Sequence, residues 1–365
     1  MRQPLRLIGI NLAVFVAIFG LLEMAVRLFN PDFNDHRQFR ETRPAPYQSA
    51  PYFSERFLRE SFEQPGGYTT PPGRAYLLPN DYRGEYFNVR QHLRVTTGVP
   101  ADATRRILMF GGSTLYSSEV PDAYTIASQL QRLVNRHGLP YAVINYGVSS
   151  LNSVQQLERL RDTPLRPGDI VVFYDGVNEV IQGVLYENAG DTIASNNNNR
   201  PAWQKQIARL AKHSALARLL LGNMQKNFVP ADIPRLAART TERYRRNLDL
   251  AEAHAQARQT RFFHFLQPTL FTLGHHKSYE TTLAGYSLNP PQAGTVFSAT
   301  YPLFNEMVAE RAATGHADFD LSKHLDRLGQ PVYLDFCHVN HIGNQAIAES
   351  IYQSLRPSLL ASDPS

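Results

Sequence analysis

Apolar positions fall along this chain in three patterns, and each predicts a different kind of structure. Between Leu7 and Phe29 they are almost continuous: "LIGINLAVFVAIFGLLEMAVRLF" is apolar apart from Asn11 until it reaches Glu23. A bilayer takes about 20 residues of helix to cross, so residues 1–30 are expected to form an uncleaved, single-pass transmembrane helix. A cleaved signal peptide would have a shorter apolar region followed by a small-x-small site, which "LEMAVRLFN" does not supply. Glu23 and Arg27 stand four apart on one helical face and are expected to pair near the far interface. Arg2 and Arg6 favour an inside N-terminus, which puts the remaining chain on the periplasmic or extracellular side of a bacterial inner membrane. Arg27, Arg37, Arg40 and Arg43 follow the span and reduce that asymmetry.

In the second pattern, from Pro31 to about Pro79, the apolar residues are largely aromatic and lie among Pro, Gly and polar residues. Segments such as "RPAPYQSAPYF" and "GGYTTPPG" forbid long helices. Aromatic side chains would be out of place in a fully solvated linker. Residues 31–100 are therefore expected to be an extended tether draped over the next domain, with the partly alternating "YFNVRQHLRVT", Tyr86 to Thr96, adding an edge strand.

The third pattern begins at Arg105. "RILMF", "YAVINYG" and "DIVVFYDG" are short apolar runs that end in or lead to glycine, with helical stretches between them. "TIASQLQRLVNRHG" puts Ile126, Leu130, Leu133 and Val134 on one helical face and stops at Gly138. "SVQQLERLRD" supplies the next helix, and "TTERYRRNLDLAEAHAQARQ" reads as a crossover helix with Tyr244, Leu248, Ala251 and Ala255 inward, ahead of the strand-like "RFFHFLQPTLF". In "VYLDFCHVNHIGNQAIAESIYQSL" the second half is amphipathic, with Ile342, Ala346, Ile347 and Ile351 suited to packing on a sheet. Strand and helix alternating at this spacing predicts a parallel sheet with helices on both faces over 101–365. Residues 186–239 interrupt it as a helical insertion: the polar "ENAGDTIASNNNNRP" reads as a mobile loop, and "IARLAKHSALARLLLGNMQ" as a basic amphipathic helix that packs on the domain, covers a site as a lid, or rests on a membrane.

Composition narrows the function classes. With 43% hydrophobic and 11% aromatic residues, the 365-residue chain can bury a large core. Its net charge of +5 comes from scattered arginines, not the clustered footprint of a nucleic-acid binder. Cys337 is the single cysteine, so no intrachain disulfide forms, and it is expected to pack. The chain contains neither the G-x-S-x-G elbow nor a G-x-x-x-x-G-K-[ST] phosphate loop.

In parallel α/β sheets reactive groups gather at the carboxyl ends of the strands. Ser113 in "MFGGST", Gly147 in "INYGVSS" and Asn178 in "YDGVNE" each follow a predicted strand, while Asp335 and His338 come three apart on one turn. A serine hydroxyl becomes a nucleophile when a base removes its proton, and His338 is the candidate base. A carboxylate on the other ring nitrogen, here Asp335, fixes the tautomer and stabilises the imidazolium. The Ser113 and Gly147 N–H groups and the Asn178 amide are candidate oxyanion donors. Gln267 is a candidate for the site rim. Taken singly, each block has a plainer reading as a turn, a helix-start glycine, a cap or a core histidine. It is their conjunction in order at strand ends that points to a site.

The four blocks "FGGSTL", "NYGVSSLNS", "DGVNE" and "DFCH" resemble the SGNH (GDSL-type) hydrolase family over about Arg105 to Leu185 and Pro331 to Leu355. The resemblance implies a three-layer α/β/α, flavodoxin-like fold, Ser113 as nucleophile, Gly147 and Asn178 in the oxyanion hole, His338 as base and Asp335 as its orienter. Two positions depart from the family's pattern: Gly112 stands for its aspartate before the serine, and Glu179 for its aspartate after the asparagine. Asp335, His338 and His341, with His275 and His276 in reserve, match no strong zinc spacing. No metal or cofactor is expected. The expected activity is that of a membrane-anchored serine esterase on acyl esters, acetyl esters included, of an envelope or exported carbohydrate. The alternatives are acyl transfer to a sugar hydroxyl by the same acyl-enzyme, and a non-catalytic carbohydrate-binding or assembly role.

Overall fold

The computed structural model describes residues 2–29, 50–63, 67–185, 214, 216, 232–273 and 293–360, some of them as backbone alone. Residues 30–49, the loop at 187–201, His275, His276 and all of the expected basic helix except Ser214 and Leu216 lie outside the described residues.

Helix α1 spans Arg2–Phe29 and belongs to a compact unit of its own, with residues 196–228. Its Glu23 accepts hydrogen bonds from Ser214 Oγ (2.8 Å) and Leu216 N–H (3.0 Å); the Arg27 side chain, its expected partner, is outside the description. Among the described residues no helix is long and apolar enough to cross a membrane, so the expectation of a spanning helix rests on the sequence.

The second unit, 44–195 with 229–365, carries the regular alternation. Its elements are α2 (Glu55–Glu63), β1 (Tyr68–Thr69), β2 (Leu78–Pro79), β3 (Tyr82–Arg83), β4 (Asn88–Arg90), β5 (Leu93–Arg94), β6 (Arg105–Gly111), α3 (Ser113–Tyr116), α4 (Ile126–Arg136), β7 (Tyr141–Gly147), α5 (Ser153–Asp162), β8 (Ile170–Asp175), α6 (Val177–Val180), α7 (Ile233–Gln256), β9 (Arg261–Leu266), α8 (Ala293–Ala313), β10 (Asp318–Asp320) and α9 (His341–Leu360). Helix α7 thus begins inside the stretch expected as insertion.

Strands β10, β9, β8, β6 and β7 lie side by side and parallel, the doubly wound order in which the first strand sits between the second and third. Side chains alternate between the faces as the pleat demands. Ile107, Met109, Ile170, Val172, Phe263 and Phe265 pack with α4 and α9, whereas Leu108, Phe110, Val171, Phe173 and Phe262 pack with residues of α5, α7 and α8. The crossover face has the expected inward residues, with Tyr244, Leu248, Ala251 and Ala255 all fully buried. This is the α/β/α sandwich.

The sheet is mixed, not purely parallel. Beyond β7 run β5, β4 and β3, all antiparallel. The expected single edge strand at Tyr86 to Thr96 is a hairpin whose turn residues Gln91 and His92 both take positive φ, 52° and 62°, the primed turn whose twist suits two-residue connections. The boundary expected at residue 100 therefore separates nothing, because residues 82–94 are part of the domain's own sheet.

Arg94 holds this meander to the rest. Its guanidinium is fully buried, donates to the carbonyls of Tyr116 (3.2 Å) and Val120 (2.9 Å), pairs with Asp122, and lies 3.7 Å from the Phe87 ring centre. Removing one partner of a buried ion pair leaves the other charge uncompensated. Arg94→Met is expected to lower unfolding free energy by roughly 3–5 kcal/mol, measured by chemical denaturation, and by clearly more than a substitution at the exposed Arg90.

Candidate active site

The register of the parallel strands sets the stage. Gly111 at the end of β6 is level with Gly147 on one side and Tyr174 on the other, so the loops that follow begin at one height. Ser113 is the first residue of α3, half-buried, and its Oγ is hydrogen-bonded to no described residue. A Cβ at Gly112, just before it, would come 2.2 Å from Asn178 Nδ2. Any side chain there would push the asparagine away, which gives a local reason for glycine where the resembled motif has aspartate. Asn178 Nδ2 donates to Leu151 O at 2.8 Å, which orients the amide beside Gly112 and leaves its second hydrogen for another acceptor.

Gly147 corrects one expectation. It lies where the sequence implied, but its N–H donates to Asn145 Oδ1 at 2.8 Å, and the Asn145 amide in turn donates to Leu115 O at 2.9 Å. The physical reason is close packing: a Cβ at residue 147 would lie 2.5 Å from Tyr116 N. Gly147 brings the second strand end against the Ser113 helix, and its amide is already used.

The departure at Glu179 also has a local explanation. This carboxylate is 2% exposed; it accepts the N–H of Ser153 on one oxygen and that of Gly176 (3.2 Å) on the other. It therefore clamps the loop that carries Asn178 to the first turn of α5, a span that the shorter aspartate would not cover in the same way. Burial pushes its pKa up, and nearby Asp175 adds to the effect, to about 7.

Asp335 and His338 arrive on a turn held at the carboxyl end of β9. Leu270 N–H donates to Phe336 O at 2.8 Å, and Leu334 N–H donates to His338 O at 2.8 Å. Asp335 Oδ1 accepts the backbone N–H groups of Cys337 (2.8 Å) and His338 (2.7 Å), while its Oδ2 lies 2.6 Å from His338 Nδ1. Burial would raise the Asp335 pKa, but the His338 charge and these hydrogen bonds outweigh it and hold the pKa below the usual value. Burial would lower that of His338, but Asp335, with Cys337 and Glu119, carries it well above 6.5. His338 Nε2 makes no hydrogen bond to a described residue and faces Glu119 Oε1 at 3.7 Å. The structure thus joins Asp335 to His338 and brings Nε2 over the loop leaving the Ser113 helix, without a hydrogen bond between Ser113 and His338.

The neighbouring groups sort as follows. Cys337 is buried, with its thiol pKa raised by burial to about 12, so it packs as expected. Asp335, Cys337 and His338 offer ligand atoms within 4.8 Å of one another, but a 2.6 Å Nδ1 to Oδ2 contact is a hydrogen bond and that thiol stays protonated. His341 opens α9 with its ring against Tyr52 and Tyr124, apart from this cluster. Gln267 is 2% exposed, so it lies beneath the site and not on its rim, with Nε2 3.3 Å from Thr114 Oγ1. The sequence reading does not single out Glu119, the acid that faces His338 from the short polar stretch "YSSEV" after the serine block.

No family model matches the chain, and no curated protein matches it. Among solved structures it is similar to a member of the lipolytic protein G-D-S-L family from Veillonella parvula, at 12% identity over 68% of this chain and 97% of that one, with a TM-score of 0.41. It is also similar to the lipase/acylhydrolase from Enterococcus faecalis, at 15% identity over 70% and 96% of the two chains and a TM-score of 0.38. A third is the acetyl xylan esterase AlAXEase, at 14% identity over 68% and 99% with a TM-score of 0.37.

The Glu179 clamp makes a prediction independent of activity. A carboxyl whose folded pKa is raised contributes stability that is present below 4.5 and lost as pH rises through about 7. Thermal unfolding of the wild-type chain is therefore expected to fall across that window, and Glu179→Gln, which carries no charge to lose a proton, is expected to flatten the fall. Parallel profiles for the two proteins would remove the buried ionisation from the account.

Proposed function

We propose that this chain is a serine ester hydrolase of the SGNH type, acting on acyl esters through an acyl-serine intermediate. The observation that carries the reading is the Asp335 to His338 hydrogen bond at 2.6 Å, on a turn over the same sheet end as Ser113. With Nδ1–H held by a carboxylate, the lone pair sits on Nε2, the nitrogen that is not hydrogen-bonded.

In the first half-reaction His338 Nε2 takes the Ser113 proton while Oγ attacks the ester carbonyl. The tetrahedral oxyanion receives the Ser113 N–H, at the first turn of α3, and the Asn178 amide. Proton return from His338 to the departing alkoxide releases the alcohol. In the second half-reaction water repeats the sequence, and its attack frees the acid and restores Ser113.

The substrate class we favour is an acyl ester, acetyl included, on an envelope or exported carbohydrate, with the domain tied by α1 to the outer face of a bacterial inner membrane. The apolar run from Leu7 to Phe29 supports the anchor. An alternative acceptor, a sugar hydroxyl in place of water, would make the same acyl-enzyme a transferase.

Ser113→Ala and His338→Ala are each expected to lower p-nitrophenyl acetate turnover by roughly three orders of magnitude or more while leaving the unfolding transition in place. Loss of one oxyanion donor in Asn178→Ala should cost about two to three orders. Because His338 works unprotonated and its pKa is raised above 6.5, the wild-type rate should climb with pH through the alkaline side of that value; a rate already flat below it would contradict His338 as the base. For the anchor, the full chain is expected to stay with membranes through alkaline carbonate extraction, and release into the supernatant would refute it.

A further inference from the structure

The loop that leaves β7 turns sharply before α5 begins. Leu151 N–H donates to Val148 O at 3.4 Å and closes a four-residue turn, Val148 to Leu151. Its third residue, Ser150, takes a φ of 65°, a left-handed conformation that favours glycine and persists in other residues only where the surroundings hold it. Each of the four residues is held. Gly111 O at the end of β6 accepts Val148 N–H at 3.1 Å. Tyr68 in β1 donates its hydroxyl to Ser149 Oγ at 2.9 Å. Gln182, just past α6, donates from Nε2 to Ser150 O. Leu151 O accepts the Asn178 amide at 2.8 Å and also Gln156 Nε2 at 3.4 Å.

The turn is thus the platform on which the Asn178 amide is aimed, and the tie at Ser149 comes from the N-terminal segment that the sequence presents as a tether. Tyr68 belongs to the β1–β2 hairpin, which has a footing of its own on α5. Ala75 N–H donates to Glu158 Oε2 at 3.1 Å, the Tyr76 hydroxyl donates to Asp162 Oδ2 at 2.7 Å, and Arg74 pairs with Asp162 at 2.6 Å. Tyr68, Tyr76, Leu77 and Leu78 pack with Val148 and Leu151. The Tyr68 ring also lies 6.3 Å, centre to centre, from that of Tyr116 in α3. Burial holds the pKa of the Tyr68 hydroxyl above its ordinary value, so it stays a donor.

We propose that the hairpin is a working part of the site: through the Tyr68 to Ser149 hydrogen bond it holds the turn that aims the Asn178 amide. Tyr68 and Ser149 are then positioning residues for the oxyanion hole, a role that deepens the serine esterase reading and rests on it. Without that bond the strained Ser150 beside it can relax, and the Leu151 carbonyl and the amide it orients move with it. A donor that meets the oxyanion only in the transition state acts on kcat and leaves substrate binding alone.

The test is a set of mutant cycles on the purified full chain with p-nitrophenyl acetate. Tyr68→Phe keeps the ring against Tyr116 and loses the hydroxyl; Ser149→Ala removes the same bond from the other side. Each is expected to lower kcat about five- to tenfold with KM within about twofold of the starting value, and the two together to lower it no further than either alone. In the Asn178→Ala background neither should lower kcat again. A second readout needs no turnover: the side-chain amide signals of Asn178 in the ¹⁵N–¹H spectrum, identified by their loss in Asn178→Ala, are expected to shift in both variants. If Tyr68→Phe does not fold, Ser149→Ala carries both measurements. A kcat loss of the same size with Asn178 absent, a rise confined to KM, or unmoved Asn178 signals would overturn the role of the hairpin and leave the serine reading standing. Turnover undiminished in Ser113→Ala would overturn the serine reading and this role with it.

Discussion

Everything at this site depends on three parallel strands ending at one level. The ladder from Arg105↔Tyr141 to Gly111↔Gly147, with Gly111↔Tyr174 on the other side, fixes the height at which the loops leave the sheet. A register slip of one residue would turn Phe110 and Phe173 out of one core and into the other. It would also separate Gly112 from Asn178, whose contact leaves no room for a side chain. Glu179 and the Asn145 amide then fix the loops laterally, so Ser113 stands on backbone held from both sides.

A comparison within the molecule shows what sets His338 apart. His264 is also bracketed by acids: its Nδ1 lies 2.6 Å from Asp318, and its Nε2 lies 2.6 Å from the Tyr244 hydroxyl and 3.2 Å from Asp175. Burial would discharge it, but hydrogen bonds to Asp175 and Asp318 raise its pKa to about 9. Arg311, Nε 3.1 Å from Asp318 Oδ2, extends this network through β10 to α7. His264 is wholly buried with both nitrogens engaged, which suits a structural tie between strands and helices. His338 has one nitrogen engaged and the other hydrogen-bonded to nothing described. That one nitrogen is what distinguishes the two histidines.

The alternation of apolar runs made four of the five parallel strands and the helices between them legible, because a period of two against one near 3.6 survives without knowledge of any partner; β10, three residues long, and α8 before it carry no such signal and are not read from the sequence. The positions of Ser113 and Asn178 are local to the sequence for a related reason, since each follows closely on a predicted strand, and Asp335 and His338 stand three apart on one turn, so their mutual placement is local too. What sequence could not supply was non-local. The hairpin β4 to β5 is made of strands of three and two residues, too short for a period, and its place is set by pairing Arg94 with Asn145. The used amide of Gly147 depends on where an asparagine two residues away turns its side chain. The Asp175, His264 and Asp318 network reads in sequence as ordinary polar positions, since nothing local says that three elements will bury them together.

The short strands of the N-terminal meander have one more consequence. An open parallel sheet normally exposes a row of unpaired backbone groups along each edge, which can pair with another chain. Here β7, a strand of seven residues, is paired by β5 at Asn145, and the sheet tapers to β3 with two residues on that side and to β10 with three on the other. The outermost strand on each side is too short to template a neighbour, and the meander shortens the length of β7 left open to another chain, so it also guards the protein against polymerising through its own strands.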